Sequence, residues 1–206
     1  MLSRPELRNQ ARETLRGKWA QPVVAALILI MITGFSQVSG RIHSAYLIAF
    51  GGLVSLFIGA NLQYGFQVGI LRFNRGRENT VSEMFNAGFK EDYGRVLGIV
   101  LLTAVFTFLW TLLLVIPGII KAYSYAMTNY IAEDNPELGP NQCIERSMIM
   151  MDGHKWELFM LHLSFIGWIL LGIISLGIGM LWVGPWIQMA EAKFYEELKA
   201  EAAVAA

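Results

Sequence analysis

A single cysteine, Cys143, stands among 206 residues. One thiol builds no internal disulfide framework and no cysteine-based zinc or iron–sulfur site. Charge is scarce too: 16% of the residues are Asp, Glu, Lys or Arg, against about 25% in an ordinary soluble domain. The 16 basic and 16 acidic side chains cancel, which removes the global positive field that a nucleic-acid partner requires. A Walker loop, GxSxG, HExxH and paired catalytic carboxylates are also missing. The sequence therefore points away from an enzyme and calls for no cofactor and no metal.

What fills the space is hydrophobic, at 55% of the chain. Four stretches contain no Asp, Glu, Lys or Arg: Trp19 to Gly40, Ile42 to Leu71, Val96 to Ile120, and Leu158 to Ala190. Each is longer than the roughly 20 residues that span a hydrocarbon core. This predicts an all-α, polytopic helical membrane protein in one domain. The first stretch follows basic residues and ends in Val38-Ser39-Gly40, like a secretory signal. Its leader is long and three more apolar stretches follow, so a retained span is expected.

The fourth stretch, as one straight helix, would reach about 50 Å, too far for one crossing. Gly177 and Gly179 in Ser175-Leu176-Gly177-Ile178-Gly179 supply a break. Pro117-Gly118 supplies a comparable one in the third stretch. Both are read as hairpins with a long apolar arm and a shorter return arm. Six membrane segments result, at residues 19–38, 44–71, 96–116, 118–132, 157–175 and 180–198. They are accompanied by an amphipathic helix over 1–18 and interfacial cytoplasmic helices over 79–92 and 140–153. The alternative is four spans.

Basic residues favour six. With the amino terminus inside, Arg4, Arg8, Arg12, Arg16, Lys18, Arg72, Arg75, Arg77, Lys90, Arg95, Arg146 and Lys155 are cytoplasmic, Arg41 lies in an outside loop and Lys121 near the outer face. Four spans would export the charged loop from Lys121 to Glu157. The return arms are the weak point, since one carries Lys121 and the other Glu191 and Lys193. The two hairpin regions also share a plan, with Gly88-Phe89-Lys90 and Gly153-His154-Lys155 in matching places. A true repeat and a chance likeness of two apolar hairpins both remain open.

At the amino terminus Ser3 and Glu6 form a capping box, with Leu2 set to staple against Leu7. Arg4, Arg8, Arg12 and Arg16 then recur every fourth residue beside the stripe Leu7, Ala11, Leu15 and Trp19. Such a helix suits contact with anionic lipid, each arginine adding about 1 kcal/mol; the plainer reading is a topology anchor. Thr80 to Glu83 reads as a second capping box. Met148, Met150 and Met151 offer either an adaptable partner groove or an interfacial helix.

In the second span Gly51, Gly52, Ser55 and Gly59 permit close approach, Gly65 and Gly69 form a GxxxG, and Asn61, Gln63 and Gln67 add amides. Helix packing is the ordinary explanation and a polar path the sharper one. Lys121, beyond the Pro-Gly break, is suggestive as a polar site, with snorkelling toward an aromatic belt as the alternative. His162 has no carboxylate or second histidine at a helical spacing that would build a metal site, so a structural role is expected.

The strings LWTLLLVIPGIIKAYSYAM (Leu109 to Met127), Glu133-Asp134-Asn135-Pro136 and SMIMMDGHKWELFMLHLSFIGW (Ser147 to Trp168) carry a resemblance, together with the opening ELRNQARETLRGKW and Phe194-Tyr195. They are similar to a bacterial family of integral membrane proteins, domain of unknown function 975. The resemblance covers nearly the whole chain and implies a multi-pass protein of the bacterial cytoplasmic membrane, here with both termini cytoplasmic. It brings no activity and no site residues. The function expected first is non-enzymatic binding of lipid, above all anionic lipid of the bilayer, or of a membrane-protein partner or second copy, in the cell envelope. A small transporter or channel subunit comes second.

Overall fold

Helix is what an uncharged backbone adopts where water is scarce, because it satisfies every N–H and C=O internally. The computed structural model describes residues 3–39, 45–90 and 92–205, and among them finds helices and no strand. In order they are α1 (Arg4–Leu15), α2 (Ala20–Ser39), α3 (Ala45–Val54), α4 (Ala60–Asn74), α5 (Thr80–Phe85), α6 (Tyr93–Leu113), α7 (Val115–Ser124), α8 (Thr128–Asp134), α9 (Pro140–Met150), α10 (Lys155–Leu163), α11 (Ile166–Ile174) and α12 (Met180–Ala205). Two π-helical turns, Ser55–Gly59 and Asn86–Lys90, join α3 to α4 and extend α5. Three helices are long and apolar enough to cross a membrane: Phe50–Asn74, Tyr93–Leu113 and Lys155–Ile174. Taken as one broken span, α1 with α2, bent by 100°, makes up to four. The expected Leu2 staple and the loop carrying Arg41 lie outside the described residues.

Burial separates these helices. Half of the apolar window of Phe50–Asn74 is buried, against 11% for Tyr93–Leu113, so α4 is the central helix. Its residues from Leu62 to Phe73 are buried nearly all round, as a core helix requires. Around it pack α2, α5, α6, α8 and α12, with α1 set against α12. The GxxxG of α4 is used within the chain. A Cβ at Gly65 would lie 2.1 Å from the Met84 carbonyl oxygen, and one at Gly69 3.1 Å from that of Thr80. The small residues thus seat α5 against α4.

Both hairpins form, and the first breaks one turn earlier than the Pro-Gly pair itself. Leu114 adopts φ −159°, ψ 135°, while Pro117 lies inside α7. The cause is the proline: its ring opposes the carbonyl four residues back, at Leu113, where α6 ends. Gly118 serves packing, because a Cβ there would stand 2.7 Å from Thr111 Cα. The arm expected over 118–132 is split into α7 and α8 by the turn at residues 125–127. In the second hairpin Leu176 and Gly177 take left-handed backbone, at φ 57° and 83°. Here the interruption falls in the outgoing arm, between α10 and α11. The two hairpins therefore share an order of elements without matching break for break. Their tips are apolar and bare, with Leu112 to Ile116 and Leu176 all exposed, the last at 93%.

Candidate functional site

Opposite the tips the charges gather. Arg72, near the end of α4, is only 8% exposed. Its Nε and Nη2 donate to the two oxygens of Glu133 on α8, at 2.6 and 3.0 Å, and its Nη1 donates to Glu83 on α5 at 2.6 Å. Arg77 also reaches Glu83, at 3.3 Å. Arg75 makes a bidentate pair with Asp134 at 2.6 and 2.9 Å and reaches Glu196 on α12 at 2.7 Å. Asp134 further accepts from Tyr195 Oη and Lys199 Nζ. Arg95, opening α6, donates to the carbonyls of Ala132, Asn135 and Leu138. The ends of α4, α8 and α12 and the start of α6 thus share one charged base. The second capping box is not built as expected: Asn79 caps α5 through Ser82 N, which leaves Glu83 free to receive Arg72.

Burial alone would raise the Asp134 carboxyl, but hydrogen bonds from Arg75, Lys199 and Tyr195 outweigh it and hold it at about 2. Glu83 is lowered in the same sense, Arg72 and Arg77 overcoming burial. A carboxylate depressed by folding stabilises the protein fully above its unfolded value of about 4 and loses that contribution as pH falls through the folded value. The thermal midpoint of the detergent-solubilised protein is expected to drop steeply between pH 4 and pH 2, Asp134 alone accounting for roughly 2 kcal/mol. Asp134→Asn should flatten that drop; an unchanged acid profile would show that the base does not hold the helices.

The arginine helix α1 is docked rather than free. Leu7, Ala11 and Leu15 are buried against the bundle. Arg8 Nη1 donates to the Ser164 carbonyl at 3.0 Å, Trp186 Nε1 donates to the Arg8 carbonyl at 2.9 Å, and the Arg12 guanidinium stands 5.9 Å from the Trp186 ring. Arg4, Arg12 and Arg16 remain exposed. The Ser3–Glu6 box is half formed, Glu6 accepting from both the Ser3 amide and its hydroxyl. Several grooves border the helix, one of them lined by Arg4, Leu7, Glu157, Leu161 and Phe194. Another of about 320 Å³ runs between Arg4, Arg8, Met160 and Leu163, and one of about 490 Å³ is lined by Asn9, Arg12, Glu13, Arg16 and Trp19.

The amides and polar groups singled out in the sequence do not converge. Asn61 is fully buried and donates to the Phe57 carbonyl, to which Tyr93 Oη also donates. Gln67 accepts from Asn129 Nδ2 at 2.6 Å, while Gln63 is exposed in a groove between α4 and α6 with Thr103 and Thr107. Lys121 lies 5.0 Å from the Trp110 ring and 3.8 Å from Met148 Sδ. It therefore contacts α9, expected at the opposite face, instead of standing with the tip. Met151 is in the core and Met148 and Met150 are part-buried, so the methionines face largely inward; the residue α9 presents outward is Ile149.

His162 does find a carboxylate, from the other arm of its hairpin. Its Nε2 is 2.7 Å from Glu191 Oε1 on α12, and its Nδ1 is 3.2 Å from Tyr123 Oη on α7. Glu191 Oε2 accepts from Tyr130 Oη of α8 at 3.4 Å, and Gln188 Oε1 lies 3.5 Å from the same hydroxyl. Sequence reasoning missed Glu191 because it searched helical spacings, and the contact crosses a hairpin. The available signal was their position at the two ends of one charge-free stretch, His162 about one turn inside it and Glu191 the first residue beyond it. Among the described residues no group of three or more His, Cys, Asp or Glu is placed to hold a metal ion.

A family model described as protein of unknown function (DUF975) matches residues 1–120 and 111–202. No curated protein and no solved structure matches the chain.

Proposed function

From the premise that the chain belongs to that family, we propose that it is a multi-pass protein of the bacterial cytoplasmic membrane whose α1 helix binds anionic lipid headgroups, without catalysis. The observation that carries this reading is the attitude of α1: bent 100° from α2, it lies along the membrane surface when α2 crosses, with its apolar stripe and Arg8 docked on the protein and Arg4, Arg12 and Arg16 outward. Two of the bordering grooves each bring a pair of guanidinium groups beside apolar or aromatic side chains. That combination suits a lipid phosphate with its acyl chain alongside.

The topology proposed with it has six segments and both termini inside. Its support is the charged base, where Arg72 and Arg75 meet Glu133, Asp134, Glu196 and Lys199. Four crossings would put Glu133 on the side opposite Arg72. The bare apolar tips suit hairpins that end in lipid or at its border, since so large a continuous apolar surface is unfavourable in water.

Because the stripe of α1 is docked on the bundle, the test needs the full chain. In nanodiscs, Arg4→Gln with Arg16→Gln is expected to weaken retention of anionic lipid about thirtyfold, at about 1 kcal/mol per arginine, and added salt to weaken it further. Lipid retention indifferent to both would overturn headgroup binding. A reporter fused after Gly139 should be active in the cytoplasm; periplasmic activity would restore four spans.

A further inference from the structure

His162 of α10 and the groups around it, Tyr123 of α7, Tyr130 of α8 and Gln188 and Glu191 of α12, bring four helices together, and their hydrogens can be placed in only a few ways. With a neutral imidazole, Tyr123 Oη–H donates to Nδ1, Nε2–H donates to Glu191 Oε1, and Tyr130 Oη–H donates to Glu191 Oε2 or to Gln188. This arrangement holds one net negative charge. Glu191 keeps just 14% of its side-chain surface exposed, at the edge of a stretch that contains no lysine or arginine from Leu158 to Ala190. An uncompensated carboxylate there is strongly disfavoured.

One added proton removes the charge without moving a heavy atom. It bonds to Nδ1, the Tyr123 hydroxyl turns from donor to acceptor, and an imidazolium faces the carboxylate across 2.7 Å. The proton is drawn from water, and His162 retains 31% of its side-chain surface against 14% for Glu191.

Among the described residues the charged groups of the surrounding elements are engaged elsewhere or turned away, and Arg4 of α1 lies in a groove with Glu157, Leu161 and Phe194. On α7 Lys121 sits by Trp110. On α8 Glu133 and Asp134 are held by Arg72, Arg75 and Lys199. On α10 Lys155 pairs with Asp152 and Glu157 with His154. From α1 Arg8 is spent on the Ser164 carbonyl and Arg12 on the Trp186 ring. On α12 Lys193, two residues from Glu191, projects about 200° round the helix, Tyr195 donates to Asp134 and Glu196 pairs with Arg75. Two helix interruptions flank the cluster: Tyr123 lies just before the turn at 125–127 and His162 just before the one at 164–165.

We propose that His162 and Glu191, with Tyr123 and Tyr130 at either end, form a proton-binding site that joins the two hairpins. A group that takes up and releases a proton beside two broken helices is the element a proton-responsive membrane protein requires. The site is independent of lipid binding at α1, and its test reads nothing at that helix.

The experiment is nitrogen NMR of the full chain in detergent, with histidines labelled and His43→Gln and His154→Gln leaving His162 as the single imidazole. At a fixed pH near 6.5 the ratio of imidazolium to neutral ring is expected to fall at least tenfold in Glu191→Gln and to be largely recovered in Glu191→Asp. An equal ratio with and without the Glu191 carboxylate would overturn the proposal. So would a wild-type ring that stays neutral throughout pH 5 to 8, a result that requires no variant to fold.

Discussion

Arg72→Ala is expected to destabilise the protein by about 3–5 kcal/mol, because it leaves the part-buried Glu133 without its guanidinium and Glu83 with only the exposed Arg77. Arg72 is 8% exposed and makes three charged hydrogen bonds of 2.6 to 3.0 Å to Glu83 and Glu133. Those acids come from α5 and α8, so the loss falls on the seams between α4 and both helices. Arg77→Ala is the matched control: it touches the same Glu83, at 3.3 Å, from a side chain 65% exposed, and exposed pairs contribute at most about 1 kcal/mol. Urea or thermal unfolding in one detergent separates the two. Equal losses would show that the base is a surface decoration. Replacing Arg72 by Met together with Glu83→Gln and Glu133→Gln should recover much of the loss, since neither part-buried carboxylate is then left without Arg72 and the exposed Arg77 that loses Glu83 is solvated.

How far the sequence carried depends on the range of each interaction. Features written within one or two turns were legible: the helix opening at Ser3, the four apolar stretches, and the breaks near Pro117 and Gly177, which follow from a missing donor and from left-handed backbone. The first break was legible only to a turn, because a proline acts four residues upstream and the chain yields at Leu114. Features that depend on a distant partner were not. Nothing near Arg72 names Glu133, 61 residues away, and nothing near His162 names Glu191, 29 residues away. Charge balance over the whole chain hides such pairs, since each side chain reads locally as a solvated or snorkelling group. The π turn at Ser55–Gly59 was also invisible, as was the convergence of Asn61 and Tyr93, 36 residues from Phe57, as donors to the Phe57 carbonyl within it.

Glycines illustrate the same limit, and they give the second large effect. Gly52 and Gly65 lie on one continuous helical run and look alike as small residues of a helix-packing face. Around Gly52 an added Cβ would meet nothing within 4 Å, whereas at Gly65 it would fall 2.1 Å from the Met84 carbonyl oxygen and 3.1 Å from Gly88 N. The obstacle at Gly65 is backbone, which has no rotamer to yield. Gly88 interlocks from the other side, its own Cβ position lying 2.7 Å from the Asn61 carbonyl oxygen. Gly65→Ala is therefore expected to lift α5 from α4 at a cost of about 3 kcal/mol or more, the upper part of the range for overpacking. Gly52→Ala should be neutral or gain up to about 1 kcal/mol from helix propensity. Lifting α5 also carries Glu83 away from Arg72, so Gly65→Ala and Glu83→Gln should be far from additive, the second substitution costing little once the first is present. Unfolding of the two single variants and the double in the same detergent measures that coupling. Strict additivity would mean that α5 stays seated after Gly65→Ala and that the close approach at Met84 does not hold the charged base together.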